Sequence, residues 1–340
     1  MNFESVEKIA AAILYEGYIL YPYRPTSIKN RQRWNFGTLY PRMYAEAQHP
    51  AEPFRLTAEC LLVPETQASL DIKISFLQLV RQQTSAPAAD TESQHQLSDP
   101  SLAWEEAIER SSEHHMLRLD DLIASPLKLT LQMDAAALPE GRSSEPAPGL
   151  PAPGLPALGL QAMLTVGGEM LPDGAYKLRL EFENTSALPS GAAAKRDEAL
   201  PQSFVSAHVL LGITNGEFVS LLDPGELYRA SAAACSNVGV FPVLAGEEPD
   251  RGMMLCSPII LYDYPKVAPE SAGDFFDGTE MDEMLTLRVL TLTDAEKQEM
   301  REGDPRARRI LERTEALTAE SMLQAHGVVR GLREIREDIP

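Results

Sequence analysis

Residues 127–133 read Leu-Lys-Leu-Thr-Leu-Gln-Met, with an apolar side chain at every second position. The same alternation occurs at residues 70–76, Leu-Asp-Ile-Lys-Ile-Ser-Phe, and at residues 176–182, Tyr-Lys-Leu-Arg-Leu-Glu-Phe. Successive side chains of a β-strand point to opposite faces of its sheet, so each stretch predicts a strand with one buried face. The first prediction is therefore a β-rich fold.

Four further stretches have strand character. Residues 204–213 and 218–222 flank Thr214-Asn215-Gly216-Glu217, and the Asn-Gly pair predicts a hairpin between them because both residues accept positive φ. Residues 257–262 and 284–292 predict two more strands. The total is about seven or eight strands, without the alternation of strands and helices that a doubly wound fold needs. We therefore expect a mainly β, α+β fold: an antiparallel β-sandwich or open barrel with a C-terminal helical segment.

The C-terminal region has helix start signals. Residues 293–296, Thr-Asp-Ala-Glu, form a capping box, and Asp304 precedes a proline suited to the first helical position. These signals predict helices at residues 294–302 and 305–317, and a third from about residue 318 toward Gly327.

These patterns divide the chain into a β-rich domain at residues 1–292 and a helical segment at residues 293–340. At the start, residues 6–15 fit either a short helix or an extended entry strand. Stretches that are polar or rich in small residues, glycine and proline predict loop insertions in the β-rich domain at residues 82–100, 138–160 and 186–201.

Composition excludes several classes of protein. The hydrophobic share of 44% and charged share of 24% are typical of a globular chain. A net charge of -20 repels phosphate backbones, which argues against a nucleic-acid partner. Neither an export signal nor a run long enough to span a membrane is recognisable. We expect a cytoplasmic protein.

Metal and cofactor sites are not predicted either. Cys60, Cys235 and Cys256 are widely spaced, which fits reduced thiols better than a disulfide framework or a zinc site. His114 and His115 are adjacent, and neighbouring side chains point in different directions. We expect no cofactor and identify no catalytic residue.

The segment from Tyr15 to Tyr44 is both aromatic and basic, and after Glu16 it contains no acidic residue. Its candidate interaction residues are Tyr21, Tyr23, Arg24, Lys29, Arg31, Arg33, Trp34 and Arg42. Three alternatives are open: a structural core whose arginines pair with the chain's own carboxylates, a protein-docking surface, or a site for single-stranded nucleic acid.

An acidic run at residues 274–283 supplies the carboxylates for the first alternative. Its members are Asp274, Asp277, Glu280, Asp282 and Glu283. Carboxylates are ligands of calcium and magnesium, but the spacing matches no calcium loop, and a solvated acidic turn is the simpler interpretation.

Two blocks of sequence resemble an uncharacterised family encoded in [NiFe]-hydrogenase gene clusters. The first has Ala-Ile-Leu-Tyr-Glu-Gly-Tyr-Ile-Leu-Tyr-Pro-Tyr-Arg at residues 12–24 and Lys-Asn-Arg-Gln-Arg-Trp-Asn-Phe-Gly at residues 29–37. The second has Ser-Pro-Ile-Ile-Leu-Tyr-Asp-Tyr-Pro at residues 257–265, followed by similar motifs at residues 268–277 and 285–294. The blocks lie toward the two ends of the chain.

The resemblance implies a part in assembling, maturing or supporting a hydrogenase, but it carries no catalytic residue to this chain. A nickel or iron carrier would need clustered cysteine or histidine, so a non-enzymatic accessory or scaffold protein is the leading hypothesis. Its partner would be a hydrogenase subunit or a maturation factor. The alternative is an enzyme that binds a small anion or a metal, with a site formed by residues 15–44 and 263–283.

The docking hypothesis predicts that charge reversal in the aromatic and basic segment disrupts partner binding. The double variant Arg31→Glu with Arg33→Glu should lose a hydrogenase-cluster partner on co-purification from a native host, because its surface charge is inverted while apolar residues are kept. Circular dichroism should show an unchanged fold. Retention of the same partner by the folded variant contradicts this assignment.

Overall fold

The computed structural model describes residues 3–16, 21, 23, 34–81, 105–134, 159–266, 282–302 and 305–317. The chain forms two compact units. The first holds the described residues up to Lys266, apart from Tyr21 and Tyr23. Those two tyrosines belong to the second unit, together with the described residues from 282 to 317.

The first unit combines eight strands with five helices in its described part. The strands are β1 (Arg55–Arg81), β2 (Glu105–Arg118), β3 (Leu127–Met133), β4 (Leu160–Met170), β5 (Tyr176–Asn184), β6 (Val205–Val219), β7 (Phe241–Ala245) and β8 (Met253–Ser257). The helices are α1 (Glu4–Leu14), α2 (Arg42–Ala47), α3 (Leu119–Ala124), α4 (Arg196–Ala199) and α5 (Gly225–Ala233). The prediction of a mainly β, α+β fold is confirmed.

Strand β1 organises the sheet, whose order is β3-β4-β5-β1-β6-β8-β7 with β2 also paired to β1. On one edge of β1, residues 55–62 pair with β5 and residues 69–81 pair with β2. Along the other edge, β6 pairs with residues 61–77. All these pairings are antiparallel, and the register on β6 shifts between Pro64 and Ser69. A single 27-residue strand thus belongs to two successive parts of the sheet.

The two halves of β1 contribute to one apolar core. The Phe204 ring lies 4.6 Å from the Phe76 ring in the second half of β1 and 5.0 Å from the Phe182 ring of β5, which pairs with the first half. The sheet is therefore folded across β1 into two layers that share these side chains. Reciprocal backbone hydrogen bonds of 2.9 Å join Thr57 to Val238, which precedes β7. They cover part of the edge of β1 that β6 does not reach.

The three alternating stretches lie in β1, β3 and β5, as predicted. The predicted hairpin is wrong, because β6 runs without interruption from Val205 to Val219. Asn215 does adopt positive φ, at 59°, but it lies opposite the irregular part of β1, where its side chain approaches the Gln67 carbonyl at 3.5 Å. The conformational freedom of Asn-Gly serves a sheet irregularity instead of a turn.

Helix α1 covers the face of β6, β7 and β8 that is opposite to the shared core. Phe3, Val6, Ala10 and Ile13 pack in a separate cluster with apolar residues of β6, β7 and β8. These four positions recur at helical spacing, so the helix alternative for the N-terminal stretch is confirmed.

The second unit contains helices α6 (Asp282–Leu290), α7 (Asp294–Glu302) and α8 (Pro305–Glu315). The helices predicted at residues 294–302 and 305–317 are confirmed, and the third, predicted from about residue 318 toward Gly327, lies outside the described residues. The capping box forms: the Thr293 hydroxyl accepts the Glu296 N–H at 3.3 Å, and Glu296 accepts the Thr293 N–H at 2.9 Å. The strand predicted at residues 284–292 is wrong. Leu285, Val289 and Leu292 are buried at helical spacing, which decides in favour of a helix.

Two other predictions need correction at their boundaries. Strand β8 ends at Ser257, so residues 258–262 are not a strand; Pro258 lacks the N–H that a ladder requires. The loop predicted at residues 186–201 contains helix α4 and short 3-10 turns, with Leu188 and Leu200 buried. The insertion predicted at residues 82–100 lies outside the described residues, as does the one predicted at residues 138–160 up to residue 158. Its last residue, Leu160, already belongs to β4.

The shared core predicts a large loss of stability when the Phe204 ring is removed. Phe204→Ala should lower the free energy of unfolding by about 3 to 5 kcal/mol, because the ring is fully buried between the layers. Phe241→Ala, which removes the same atoms from a partly exposed position, should cost about 1 kcal/mol or less. Urea unfolding followed by circular dichroism measures both, and equal losses would contradict the two-layer core.

Candidate functional site

The aromatic rings of the Tyr15–Tyr44 segment that belong to the first unit are buried. Tyr15, Trp34, Tyr40 and Tyr44 each expose less than a tenth of their surface. The Tyr15 hydroxyl donates to Glu109 at 2.6 Å, and the Tyr40 and Tyr44 ring centroids lie 5.2 Å apart. For these rings the structural-core alternative describes the arrangement.

Two of the candidate residues that the structure describes, Tyr21 and Tyr23, belong to the second unit. Tyr23 is fully buried, whereas Tyr21 is partly exposed and meets the Tyr23 ring edge-on at 6.1 Å. The Arg288 guanidinium of α6 lies 5.5 Å from the centre of the Tyr21 ring, a cation–π contact. Tyr21 is thus engaged by an arginine outside the segment.

Arg42 is the candidate cation that the structure describes, and it is exposed. Its Nε donates to Glu46 at 2.8 Å, its Nη1 donates to Glu183 at 3.2 Å, and its guanidinium lies 5.1 Å from the Phe54 ring. These contacts anchor α2 on the sheet unit and leave the guanidinium within reach of solvent.

Several predicted site residues lie outside the described residues. They are Arg24, Lys29, Arg31, Arg33, Asp274, Asp277 and Glu280. Asp282 and Glu283 begin α6, and only their backbone is described. Pairing between the arginines and the acidic run stays a prediction, as does the alternative of an enzyme site at residues 15–44 and 263–283.

Glu59 of β1 is a buried carboxylate with a full set of partners. Arg179 donates to Oε1 at 2.7 Å, while Lys177 Nζ and the Ser236 N–H reach Oε2 at 2.8 Å each. Burial alone would raise the pKa of Glu59, but these donors hold it below the ordinary value. The Asn237 side chain accepts the Glu59 N–H at 2.7 Å. Glu59 therefore fixes the loop after α5 to the sheet.

A second ionic cluster joins α1 to the sheet. Lys73 Nζ of β1 lies 2.7 Å from Glu7 of α1 and 2.8 Å from Glu113 of β2. Burial alone would lower the pKa of Lys73, but its hydrogen bonds to Glu113 and Glu7 raise it. The ammonium group is thus kept charged beneath the helix.

His208 of β6 is fully buried on the α1 side of the sheet. Its Nδ1 lies 2.9 Å from the Ser206 carbonyl, so Nδ1 carries the proton, and its buried Nε2 has no hydrogen-bond partner among the described residues. Burial, with a smaller contribution from Lys73, lowers the pKa of His208 to about 4. The imidazole is therefore neutral at physiological pH.

The cysteines have the environment of structural thiols. Cys60 of β1 and Cys256 of β8 are fully buried, and their sulfur atoms lie 4.0 Å apart. The hydrogen bond between the two thiols and burial raise the pKa of Cys60 well above its ordinary value. Burial also raises the pKa of the partly buried Cys235. A raised pKa disfavours the thiolate that nucleophilic chemistry requires.

Within the described ranges, no group of three or more histidine, cysteine, aspartate or glutamate residues could hold a metal ion. Of the helices in the part of the chain that the structure describes, none is long and apolar enough to cross a membrane.

The two most exposed large apolar side chains among the described residues lie on the segment that follows β8. Ile260 and Tyr262 expose 77% and 87% of their surfaces, whereas Ile259 and Leu261 pack against the apolar cluster beneath α1. Alternate side chains thus hold the segment on the protein and face solvent. Leu222, at the end of β6, exposes 56%. We call Leu222, Ile260 and Tyr262 the apolar surface.

Asp263 fixes this surface to the sheet. Its Oδ2 accepts the Ser220 hydroxyl at 2.5 Å, and its Oδ1 accepts the Leu244 N–H of β7 at 2.8 Å. Ser220 Oγ in turn accepts the N–H groups of Leu222 and Asp223 at 3.1 and 2.8 Å. The segments carrying Leu222 and Tyr262 are therefore joined through one carboxylate.

Sequence reasoning did not identify the apolar surface, although two of its three residues, Ile260 and Tyr262, lie within the block at residues 257–265. Four consecutive apolar residues at 259–262 fit a buried strand as well as a segment with two exposed side chains. Pro258 was the available signal, because it argues against a continued ladder.

No protein-family model matches the chain, and no curated protein is similar to it in sequence.

His208 predicts a measurable pH dependence of stability. Its pKa is about 4 in the fold and about 6.5 when unfolded, so protonation favours unfolding. Its neutral form supports the fold above about pH 6.5, and up to about 3 kcal/mol is lost as the pH falls toward 4.

The variant His208→Leu should lack this component in urea unfolding at a series of pH values. The stability of the wild type should therefore fall relative to the variant between about pH 6.5 and 4. The exposed His49→Gln is the control and should follow the wild type. Parallel curves for wild type and His208→Leu would contradict a buried neutral imidazole.

Proposed function

We propose that this protein is a non-enzymatic accessory or scaffold protein that supports assembly or maturation of a [NiFe]-hydrogenase through protein–protein contacts in the cytoplasm. The observation that carries the proposal is the exposed pair Ile260 and Tyr262, which lies inside a block that resembles the hydrogenase-associated family. The proposed partner is a hydrogenase subunit or a maturation factor.

The chemistry of the apolar surface supports a binding role. Single exposed apolar residues are common on proteins, but here an isoleucine and a tyrosine two positions apart are both largely exposed, and hydrogen bonds through Ser220 and Asp263 join their segment to the one that carries the exposed Leu222. Tyrosine is enriched among the residues that dominate binding energy, since its ring offers much contact area and few rotatable bonds.

Pre-organisation strengthens this argument. Ile259 and Leu261 hold the segment against the cluster under α1, and Asp263 bonds it to β7 and to Ser220. A partner that binds Ile260 and Tyr262 would therefore spend little free energy on ordering the loop. The cost of binding is lowest where the backbone is already fixed.

The aromatic and basic segment would provide a second, accessory contact with the partner. Its buried rings support the fold, whereas Arg42 is exposed beside the Phe54 ring. The proposal assigns the cations Arg24, Lys29, Arg31 and Arg33 to an accessory contact region, and the apolar surface to the main contact.

Truncation of Ile260 and Tyr262 should weaken partner binding strongly. The double variant Ile260→Ser with Tyr262→Ser should weaken binding by about thirtyfold or more, because loss of a central aromatic contact typically costs about 2 kcal/mol. Co-purification of the tagged protein from a native host, with quantitative mass spectrometry of the hydrogenase-cluster proteins, measures the loss. An unchanged urea midpoint should accompany it, since both side chains are exposed.

The matched control is Met116→Ser on β2, because Met116 exposes 68% of its surface outside the apolar surface. This variant should retain the hydrogenase-cluster partner. If the double variant recovers that partner in the same yield as the wild type, the apolar surface is not the docking site.

A further inference from the structure

We propose that the segment which binds the apolar surface is a basic peptide segment with apolar side chains, carried by another protein. This inference rests on the proposed docking function and adds the chemistry of the partner. The observation behind it is the excess of carboxylates near Leu222, Ile260 and Tyr262.

One acidic border lies on the Leu222 side. Asp223 follows Leu222 directly, and its N–H is bonded to the same Ser220 hydroxyl that Asp263 binds. Glu226, in the first turn of α5, is exposed and pairs with Arg229 at 2.8 Å. Helix α5 has no buried residue, so its one carboxylate, Glu226, and the exposed Leu227 face solvent.

A second acidic border is the turn between β7 and β8, where Glu247, Glu248 and Asp250 are all exposed. The residues after Tyr262 lie against this turn: the Tyr264 N–H donates to the Leu244 carbonyl at 2.8 Å, and Lys266 approaches Glu247 at 4.0 Å. Carboxylates thus follow Leu222 along the chain and lie beside the residues that follow Tyr262.

The balance of charge at this end is negative. Acidic residues outnumber basic ones here. The five acidic residues are Asp223, Glu226, Glu247, Glu248 and Asp250, and the three basic residues are Arg229, Arg251 and Lys266. Two of these cations already approach carboxylates, Arg229 at Glu226 and Lys266 at Glu247. A partner with lysine or arginine beside its apolar side chains would meet complementary charge, which raises the association rate and disfavours acidic competitors.

A second copy of this chain fits the surface less well. Each copy carries a net charge of -20 and the same two acidic borders, so apposed surfaces would bring like charges together. A basic segment with isoleucine, leucine or aromatic side chains satisfies both the apolar centre and the acidic rim. The geometry therefore favours a protein partner of opposite charge.

Photo-crosslinking identifies the segment that lies on the surface. Tyr262→p-benzoylphenylalanine in the full chain, irradiated in a native host, should cross-link to a segment that has net positive charge and apolar residues within a few positions of the attachment site. Mass spectrometry of the cross-linked peptide gives its sequence. A segment that is acidic or uncharged, or one from a second copy of this chain, overturns the inference while leaving docking at Tyr262 in place.

Charge reversal provides the second arm. With the cross-linked partner purified, Asp223→Lys with Glu247→Lys should weaken its binding by about tenfold, mainly through slower association. Glu65→Lys with Glu169→Lys changes the same net charge at exposed positions away from this surface and should have a smaller effect. Equal effects of the two charge variants overturn the basic-partner inference, whereas a partner that binds normally to Ile260→Ser with Tyr262→Ser overturns the docking site itself.

Discussion

Strand β1 is shared by both layers of the sheet, and this constraint shapes the rest of the first unit. Its first half pairs with β5, its second half pairs with β2, and β6 follows its other edge through the irregular stretch between Pro64 and Ser69. One continuous strand therefore connects the two layers. Phe204 lies between them, in contact with the Phe76 ring of the second half and with the Phe182 ring of β5, which pairs with the first half.

Buried polar groups then attach the peripheral segments to this sheet. Glu59 holds the loop after α5, Lys73 holds α1, and Asp263 joins the end of β6 to the segment after β8. Glu59 is buried and Lys73 and Asp263 are half-buried, and each has opposite charges or hydrogen-bond donors within hydrogen-bond distance, as the cost of burying a charge requires. These contacts explain how Ile260 and Tyr262 remain exposed on a fixed backbone. The proposed docking function depends on that combination of exposure and order.

The sequence predicted those features that depend on local periodicity. Alternation at residues 70–76, 127–133 and 176–182 identified three strands, and the capping box at Thr293 identified a helix start, because neighbouring residues determine both. Residues 284–292 fit both a strand and a helix, and burial of Leu285 and Val289 within the helical unit decided the outcome. Asn215 accepted the expected positive φ in an unexpected context, since pairing with β1 is a tertiary contact.

The site was less predictable, for a physical reason. Composition identified the aromatic rings of residues 15–44 but could not say whether they face the core, and Trp34 and Tyr23 are buried. It also could not predict that Ile260 and Tyr262 face solvent, because exposure depends on which side of the segment meets α1. Radical footprinting tests the central claim most directly, by comparing side-chain oxidation in the isolated protein and in its complex with the co-purified partner. Docking predicts that Ile260 and Tyr262 are protected in the complex while Met116 is unchanged; equal oxidation of Ile260 and Tyr262 in both states would contradict it.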